Sequence, residues 1–173
     1  MAALIERWVR PIPDWPVPGV TFRDITPLLA EPEAFEAVID ALTAAGAELG
    51  PVDAVLGIEA RGFIVGAPVA LRLGAGFVPL RKAGKLPYET LSVSYELEYG
   101  TATVEMHADA LEPGDRVLVV DDLLATGGTL EAAADLVAQA GASVAGHVVT
   151  IELPALGGRA RVGDIPFRSL ASF

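Results

Sequence analysis

VLVVDDLLATGGT, residues 117–129, decides how this chain is read. Four apolar residues run into the paired Asp121 and Asp122, and the chain then turns glycine-rich between Thr126 and Thr129. A short apolar run ending in polar groups is the pattern of a buried strand, here RVLVVD over 116–121. Behind it, GGTLEAAADLVAQAG carries apolar positions at helical spacing and predicts a helix over 127–141. The alternation continues on both sides. EAFEAVIDALTAAG (33–46) predicts a helix stopped by Gly46, DAVLGI (53–58) a buried strand, GFIVGAPVALRLG (62–74) a helix and GFVPLR (76–81) a strand. Residues 82–100 are polar and punctuated by Pro and Gly, too irregular for a core element. TATVEMHA (101–108) alternates like a strand with one wet face, EPGD (112–115) is a turn, and SVAGHVVTIE (143–152) is the closing strand. Buried strands alternating with helices make this an α/β fold with a mainly parallel sheet flanked by helices. The first 30 residues, rich in Pro, Trp and Arg, form a small N-terminal hood outside that sheet.

At 173 residues the chain suffices for one domain with a full core, 1–173, and no repeat or low-complexity linker divides it. Its 52% hydrophobic and 20% charged residues place it among globular chains and exclude disorder. The longest weakly charged stretch, 62–80, carries Arg72 near its centre with several glycines and two prolines, so it is not a membrane span. Glu6 and Arg7 stand where a signal peptide would be apolar, which leads to the expectation of a cytoplasmic protein with no membrane partner. The lack of cysteine excludes disulfides and thiolate chemistry. A net charge of −11 argues against a nucleic-acid partner. It does not exclude a small phosphorylated ligand, which responds to the local field of a cleft. Three of the 12 basic residues, Arg81, Lys82 and Lys85, fall within five positions.

Open α/β sheets bind ligands beyond the carboxyl ends of their strands. Three strand ends here carry unusual chemistry: Glu59-Ala60-Arg61-Gly62, Arg81-Lys82, and Asp121-Asp122 onward. They are expected to converge on one edge. A helix N-terminus presents unpaired N–H groups and roughly half a positive charge, so Ala125, Thr126, Gly127, Gly128 and Thr129 suit a phosphate. Asp121 and Asp122 cannot bind that phosphate; they suit sugar hydroxyls or a hydrated metal ion beside it. Ribose 5-phosphate satisfies both halves. The competing reading is a tight turn capping the helix, with two solvated acids at a strand end. Paired acids directly after a four-residue apolar strand weigh against it.

Other motifs fail on inspection. Gly57 and Gly62 have Walker A spacing, but Phe63 and Ile64 occupy the Lys and Ser/Thr positions. Gly74-Ala75-Gly76 is followed by Pro79 where a dinucleotide fingerprint needs its third small residue. There is no HExxH, and His107 and His147 fall in predicted strands, where a hydrogen-bonded sheet residue is the expectation and a metal ligand is not. Trp8 and Trp15 are expected to anchor the hood.

VLVVDDLLATGGT resembles the phosphoribosyl-diphosphate binding motif of the type I phosphoribosyltransferases. PGVTFRDITPLL (18–29), GIEARGFIVGAPVA (57–70), VPLRKAGKLP (78–87), SYELEYG (94–100) and PFRSL (166–170) are similar to segments of that family's adenine-specific branch. The resemblance implies transfer of ribose 5-phosphate from 5-phosphoribosyl 1-diphosphate to adenine, giving AMP and diphosphate in purine salvage. It implies Mg2+ as cofactor and a homodimer. By resemblance, Ala125 and the 126–129 loop hold the 5-phosphate, and Asp121 and Asp122 take the ribose hydroxyls. The metal is then carried by the diphosphate sugar near those two acids, with no dedicated protein ligands.

Glu59, Ala60 and Arg61 match the family's diphosphate loop, which has a non-proline cis peptide that would fall between Glu59 and Ala60. Arg81, Lys82 and Lys85 would neutralise the leaving diphosphate, in part from the neighbouring subunit of a dimer. Phe22 matches the residue stacked on adenine, with Leu153 opposite, Arg23 at the same site, and the backbone from Val20 to Arg23 reading the purine edge. Glu98 matches the acid at the attacking ring nitrogen, with Tyr99 beside it, in a mobile lid loop over 82–100. Ala60 and Pro87-Tyr88 sit where family members vary. Two rivals follow from the same residues. One is a sensor without catalysis, which in such folds carries a DNA-binding extension where this chain has about ten residues before the hood. The other is the same reaction on another base, which the hood residues disfavour.

Overall fold

The computed structural model describes residues 1–96 and 100–173. Among these residues the centre is a seven-stranded sheet. In chain order its strands are β3 (Ala54–Ile58), β4 (Gly76–Lys82), β5 (Thr90–Glu96), β6 (Thr101–His107), β7 (Arg116–Leu124), β8 (Ser143–Glu152) and β9 (Phe167–Ser172). Their spatial order is β5-β6-β4-β3-β7-β8-β9. β4, β3, β7, β8 and β9 run parallel, while β6 and β5 add an antiparallel edge beside β4. The expected mainly parallel sheet is therefore present.

Its two faces follow the two-residue period of a strand. On β3 and β7, Ala54, Leu56, Val117 and Val119 face the layer that contains Leu130, Ala133 and Leu136 of helix α5 (Gly128–Gln139). The alternate residues Val55, Leu118 and Val120 face α3 (Pro32–Ala47) and α4 (Arg61–Leu73). Both faces are covered, which is why these strands read as unbroken apolar runs.

Several expectations are corrected. Gly46 does not stop α3; it lies within the helix, where a Cβ would come 2.7 Å from Leu118 Cδ2, so glycine serves close helix–sheet packing. The 82–100 segment is not irregular throughout. Thr90–Glu96 forms β5, paired with β6 from Thr90↔His107 to Glu96↔Thr101, with Leu91, Val93 and Tyr95 packed onto the core. The Pro and Gly punctuation of residues 84–87 masks that alternation. β8 is not the closing strand, because Phe167–Ser172 adds β9 at the edge. β7 also continues past the predicted Asp121 to Leu124.

The hood has its own two-stranded antiparallel sheet, β1 (Arg10–Ile12) with β2 (Phe22–Asp24), flanked by α1 (Ala2–Trp8) and α2 (Thr26–Ala30). It lies outside the main sheet, as expected, yet Ile5, Ile25 and Leu28 are fully buried in the α3–α4 side of the core. Trp8 packs on that same cluster, and Trp15 stays half-exposed with its ring edge-on to Phe22. Asp24 explains the polar centre of FRDITP. It accepts a 2.6 Å ion pair from Arg10 and hydrogen bonds from the Thr26 N–H and hydroxyl, tying β1, β2 and α2 together. The Thr26 N–H and Arg10 hold its carboxyl below the usual range against the opposing effect of burial. His107 and His147 lie in strands, but the expected side-chain hydrogen bonds are not found among the described residues: His107 Nε2 is buried without a partner, and so are both ring nitrogens of the fully buried His147. No helix among the described residues is long and apolar enough to cross a membrane.

Candidate active site

β3 feeds α4 and then β4 on one side, while β7 feeds α5 and then β8 on the other. The sheet order thus reverses between β3 and β7, and a crevice opens beyond their carboxyl ends. A cleft of about 430 Å³ lies there, walled by Glu59, Ala60, Arg61, Lys82, Asp121 and Asp122, with Tyr95 and Thr129 at one side. The three strand ends expected to converge do so. A smaller recess of about 70 Å³ adjoins it, walled by Asp121 and by Ala125, Thr126, Gly127 and Thr129.

The recess is built by the start of α5. Gly127 occupies the cap position at φ 85°, a left-handed conformation natural to glycine, and no side chain caps the helix among the described residues. The first N–H groups of α5 are therefore left for a ligand. Next to them, Asp122 is buried and its Oδ2 lies 2.7 Å from Arg61 Nε. Asp121 turns one oxygen back on the Asp122 N–H at 2.9 Å. Burial, then the Asp122 charge, raises the Asp121 carboxyl well above its ordinary range although one side opens to the cleft. Burial also raises Asp122, against the pull of Arg61. Gly62 is required beneath them, since a Cβ there would stand 2.8 Å from Asp121 Oδ1.

The peptide bond between Glu59 and Ala60 is cis, at the expected place. Glu59 gathers the cations: its carboxylate accepts from Arg81 Nε at 3.3 Å, from the Lys82 N–H at 3.1 Å and from Lys85 Nζ. Burial pushes this carboxyl up, but the Lys85 and Lys82 hydrogen bonds with both cations outweigh it and hold the group low. Arg81 and Lys85 thus pair within their own chain.

Arg61 joins the hood to the cleft, its guanidinium carbon 5.1 Å from the Phe22 ring centre. Arg23, next along β2, instead stacks on Phe173 at 4.7 Å, as alternation along a strand requires. The Leu153 N–H bonds to the Leu124 carbonyl at 2.9 Å, which sets it beside the end of β7. Val20 is exposed in the turn before β2, where its N–H bonds to Val17 and its carbonyl accepts from Trp15. Glu98 and Tyr99 lie outside the described residues. No group of three or more acids or histidines that could hold a metal ion occurs among the described residues. Asp122 Oδ2 is buried against Arg61, so the cleft-facing side of Asp121 is the part of the acid pair open to a cation or a hydroxyl.

Two residues that sequence reasoning passed over support this site. One oxygen of the buried Glu105 accepts the backbone N–H groups of Gly84, Lys85 and Leu86 at 2.9, 3.2 and 3.3 Å. Tyr95, on β5, lines the larger cleft and accepts from Thr129 Oγ1 at 3.2 Å. A lone acid or aromatic in a strand gives no signal of such a role, although the alternation of 90–96 was there to be read.

The phosphoribosyl transferase domain family matches residues 27–165. An adenine phosphoribosyltransferase from Thermobifida fusca is 62% identical over 99% of this chain and 97% of its own length. The chain belongs to the adenine phosphoribosyltransferase family. A second relative of that name, from Acidothermus cellulolyticus, is 63% identical over 96% of this chain and 94% of its own length. Among solved structures, the adenine phosphoribosyltransferase of Rhodothermus marinus superposes with a TM-score of 0.92 at 50% identity, covering 99% of each chain. The Saccharomyces cerevisiae enzyme, complexed with an imino-altritol bisphosphate and adenine, gives 0.92 at 38% identity, covering 98% of this chain and 99% of its own. The fold of the family is thus the fold described above, hood included.

Proposed function

We propose that this protein makes AMP and diphosphate from adenine and 5-phosphoribosyl 1-diphosphate, in purine salvage. One observation carries the reading: the uncapped start of α5 adjoins an acid pair that faces a cation cluster across a single cleft. The 5-phosphate sits on the N–H groups and threonine hydroxyls of 126–129, with Ala125 allowing close approach. Asp121 and Asp122 accept from the ribose hydroxyls. Arg61, the backbone at Glu59-Ala60, and Arg81, Lys82 and Lys85 hold the diphosphate, the two side-chain partners of Glu59 exchanging that carboxylate for the ligand. Adenine lies between Phe22 and Leu153, its edge read by the backbone from Val20 to Arg23.

The bond from the anomeric carbon to the diphosphate oxygen breaks, its electrons leaving with the diphosphate, as the ring nitrogen of adenine closes on that carbon. Positive charge builds on the ribose in an oxocarbenium-like transition state, which nearby carboxylates favour, while the cations favour the leaving group. Glu98, with Tyr99 beside it, stands at the attacking nitrogen, which must lose its proton. Lys82 and Tyr95, from the described part of the 82–100 segment, line the cleft, and in this reading that segment excludes water that would otherwise capture the cation. Mg2+ carried by the diphosphate sugar would supply further charge neutralisation, and Asp121 and Asp122 would orient that complex. The reading includes a cytoplasmic homodimer.

The test is release of diphosphate from 5-phosphoribosyl 1-diphosphate and Mg2+ with each purine base in turn. Release with adenine alone is expected, falling by about 10²-fold or more in Glu98→Ala if that acid acts in proton transfer. Undiminished activity in the variant removes Glu98 from the reaction. Tight binding of the diphosphate sugar with no release on any base would make the protein a sensor.

A further inference from the structure

Tyr95 belongs to SYELEYG (94–100), yet the reading above gives it no part. It comes from β5 on the antiparallel edge, two strands away from the parallel core, and its side chain nevertheless lines the same cleft as Lys82, Asp121 and Thr129. Two contacts place it on consecutive residues of the α5 start. Thr129 Oγ1 donates to its phenol oxygen at 3.2 Å. Its ring fills the side of Gly128, where a Cβ would come 2.9 Å from a ring carbon. The glycine at 128 is thus a seat for the tyrosine as well as an opening for a ligand.

A phenol both accepts and donates one hydrogen bond readily. Thr129 uses the acceptor side, and among the described residues no acceptor takes the phenol's own proton, which is left for a ligand oxygen. We propose that Tyr95 is a ligand of the 5-phosphate: its O–H, anchored by Thr129, donates to a phosphate oxygen held over the 126–129 loop. The inference rests on the assignment of that loop to the 5-phosphate. A neutral donor on a phosphate dianion makes a charge-assisted bond, stronger than a neutral pair. Its removal should cost about tenfold in affinity. Tyr95 then also ties the antiparallel hairpin to the sugar-phosphate end of the substrate.

Calorimetric binding of ribose 5-phosphate, and separately of inorganic diphosphate, tests this with wild type, Tyr95→Phe and Thr129→Val. Phenylalanine keeps the ring against Gly128, and thermal melting of each variant checks the fold. The expected result is about tenfold weaker ribose 5-phosphate binding by Tyr95→Phe, with diphosphate binding changed less than about twofold. Weakening by Thr129→Val but not by Tyr95→Phe overturns the tyrosine assignment and leaves the loop assignment standing. Equal weakening of both ligands by Tyr95→Phe assigns the residue to general packing and also overturns it. Failure of the wild-type protein to bind ribose 5-phosphate removes the loop assignment, and Tyr95 with it.

Discussion

Gly158 touches no expected ligand position, yet the loop proposed to hold the 5-phosphate leans on it. A Cβ added there would overlap the Ala125 carbonyl oxygen and lie 2.9 Å from both the Gly127 nitrogen and Leu124 Cδ1. All three neighbours are in or next to the recess, two of them are backbone, and backbone cannot rotate aside. Gly158→Ala is therefore expected to destabilise the protein by about 1–3 kcal/mol, the usual cost of overpacking. It should also raise the KM for 5-phosphoribosyl 1-diphosphate several-fold more than that for adenine. Thermal melting and steady-state kinetics measure the two effects, and an unchanged melting point with unchanged KM values would show that the loop can move at no cost. Arg61 makes the opposite case at this scale. Its position after a buried strand marked it in the sequence, but its pairing with Asp122 and its approach to Phe22 depend on residues 61 and 39 positions away in the chain.

At the scale of elements, the turn at 84–86 depends on a residue of another strand. Glu105 sits opposite Arg81 in the β4–β6 ladder, and its carboxylate collects three successive N–H groups of the segment that carries Lys85. Removal of that acceptor leaves the donors to water and frees the turn. Glu105→Ala should weaken diphosphate binding by about tenfold, roughly the effect of one lost hydrogen bond to a charged group. Glu105→Gln should recover part of the loss, because its amide oxygen still accepts. A calorimetric titration with diphosphate decides it; equal affinity in all three proteins would show that the turn holds its shape unaided. The antiparallel edge was the least legible element. Local composition marked all of 82–100 as irregular, whereas β5 depends on pairing with β6, and a strand at a sheet edge has little local signal apart from alternation.

Across the whole molecule, acid stability should carry the mark of His147. The imidazole is fully buried in β8 with neither nitrogen partnered among the described residues, and burial lowers its pKa to about 4. The unfolded chain takes up this proton near pH 6.5, where the folded protein does not. Stability from the neutral ring is therefore complete above pH 6.5 and falls as pH drops toward 4, by about 3 kcal/mol over the window. Denaturant unfolding across that range should show the slope, and His147→Leu should flatten it. A variant with the wild-type slope would place the acid sensitivity elsewhere. Asp24, Glu59 and Glu152 act at lower pH. Hydrogen bonds from Thr26 hold Asp24 low, and those from Arg159 hold Glu152 low; at Glu59, Lys85 and its neighbours overcome burial. Their stabilisation is present above the ordinary carboxylate range and is lost as pH falls through it.

The sequence by itself determined the chain order of the core strands and helices, the glycine-rich turn at 126–129 that opens α5 and the acid pair before it. Each of these is written in a local pattern: apolar period, glycine placement, charge at a strand end. The family motifs added the expected base and leaving-group residues by position in the chain. Only the tertiary structure decided what those residues meet. Arg61 turned toward Asp122, the cations of 81–85 gathered on Glu59, and Tyr95 crossed from the sheet edge to Gly128 and Thr129. These pairings join segments from 22 to 61 residues apart, and strand order, not sequence neighbourhood, sets which side chains come within a few ångströms.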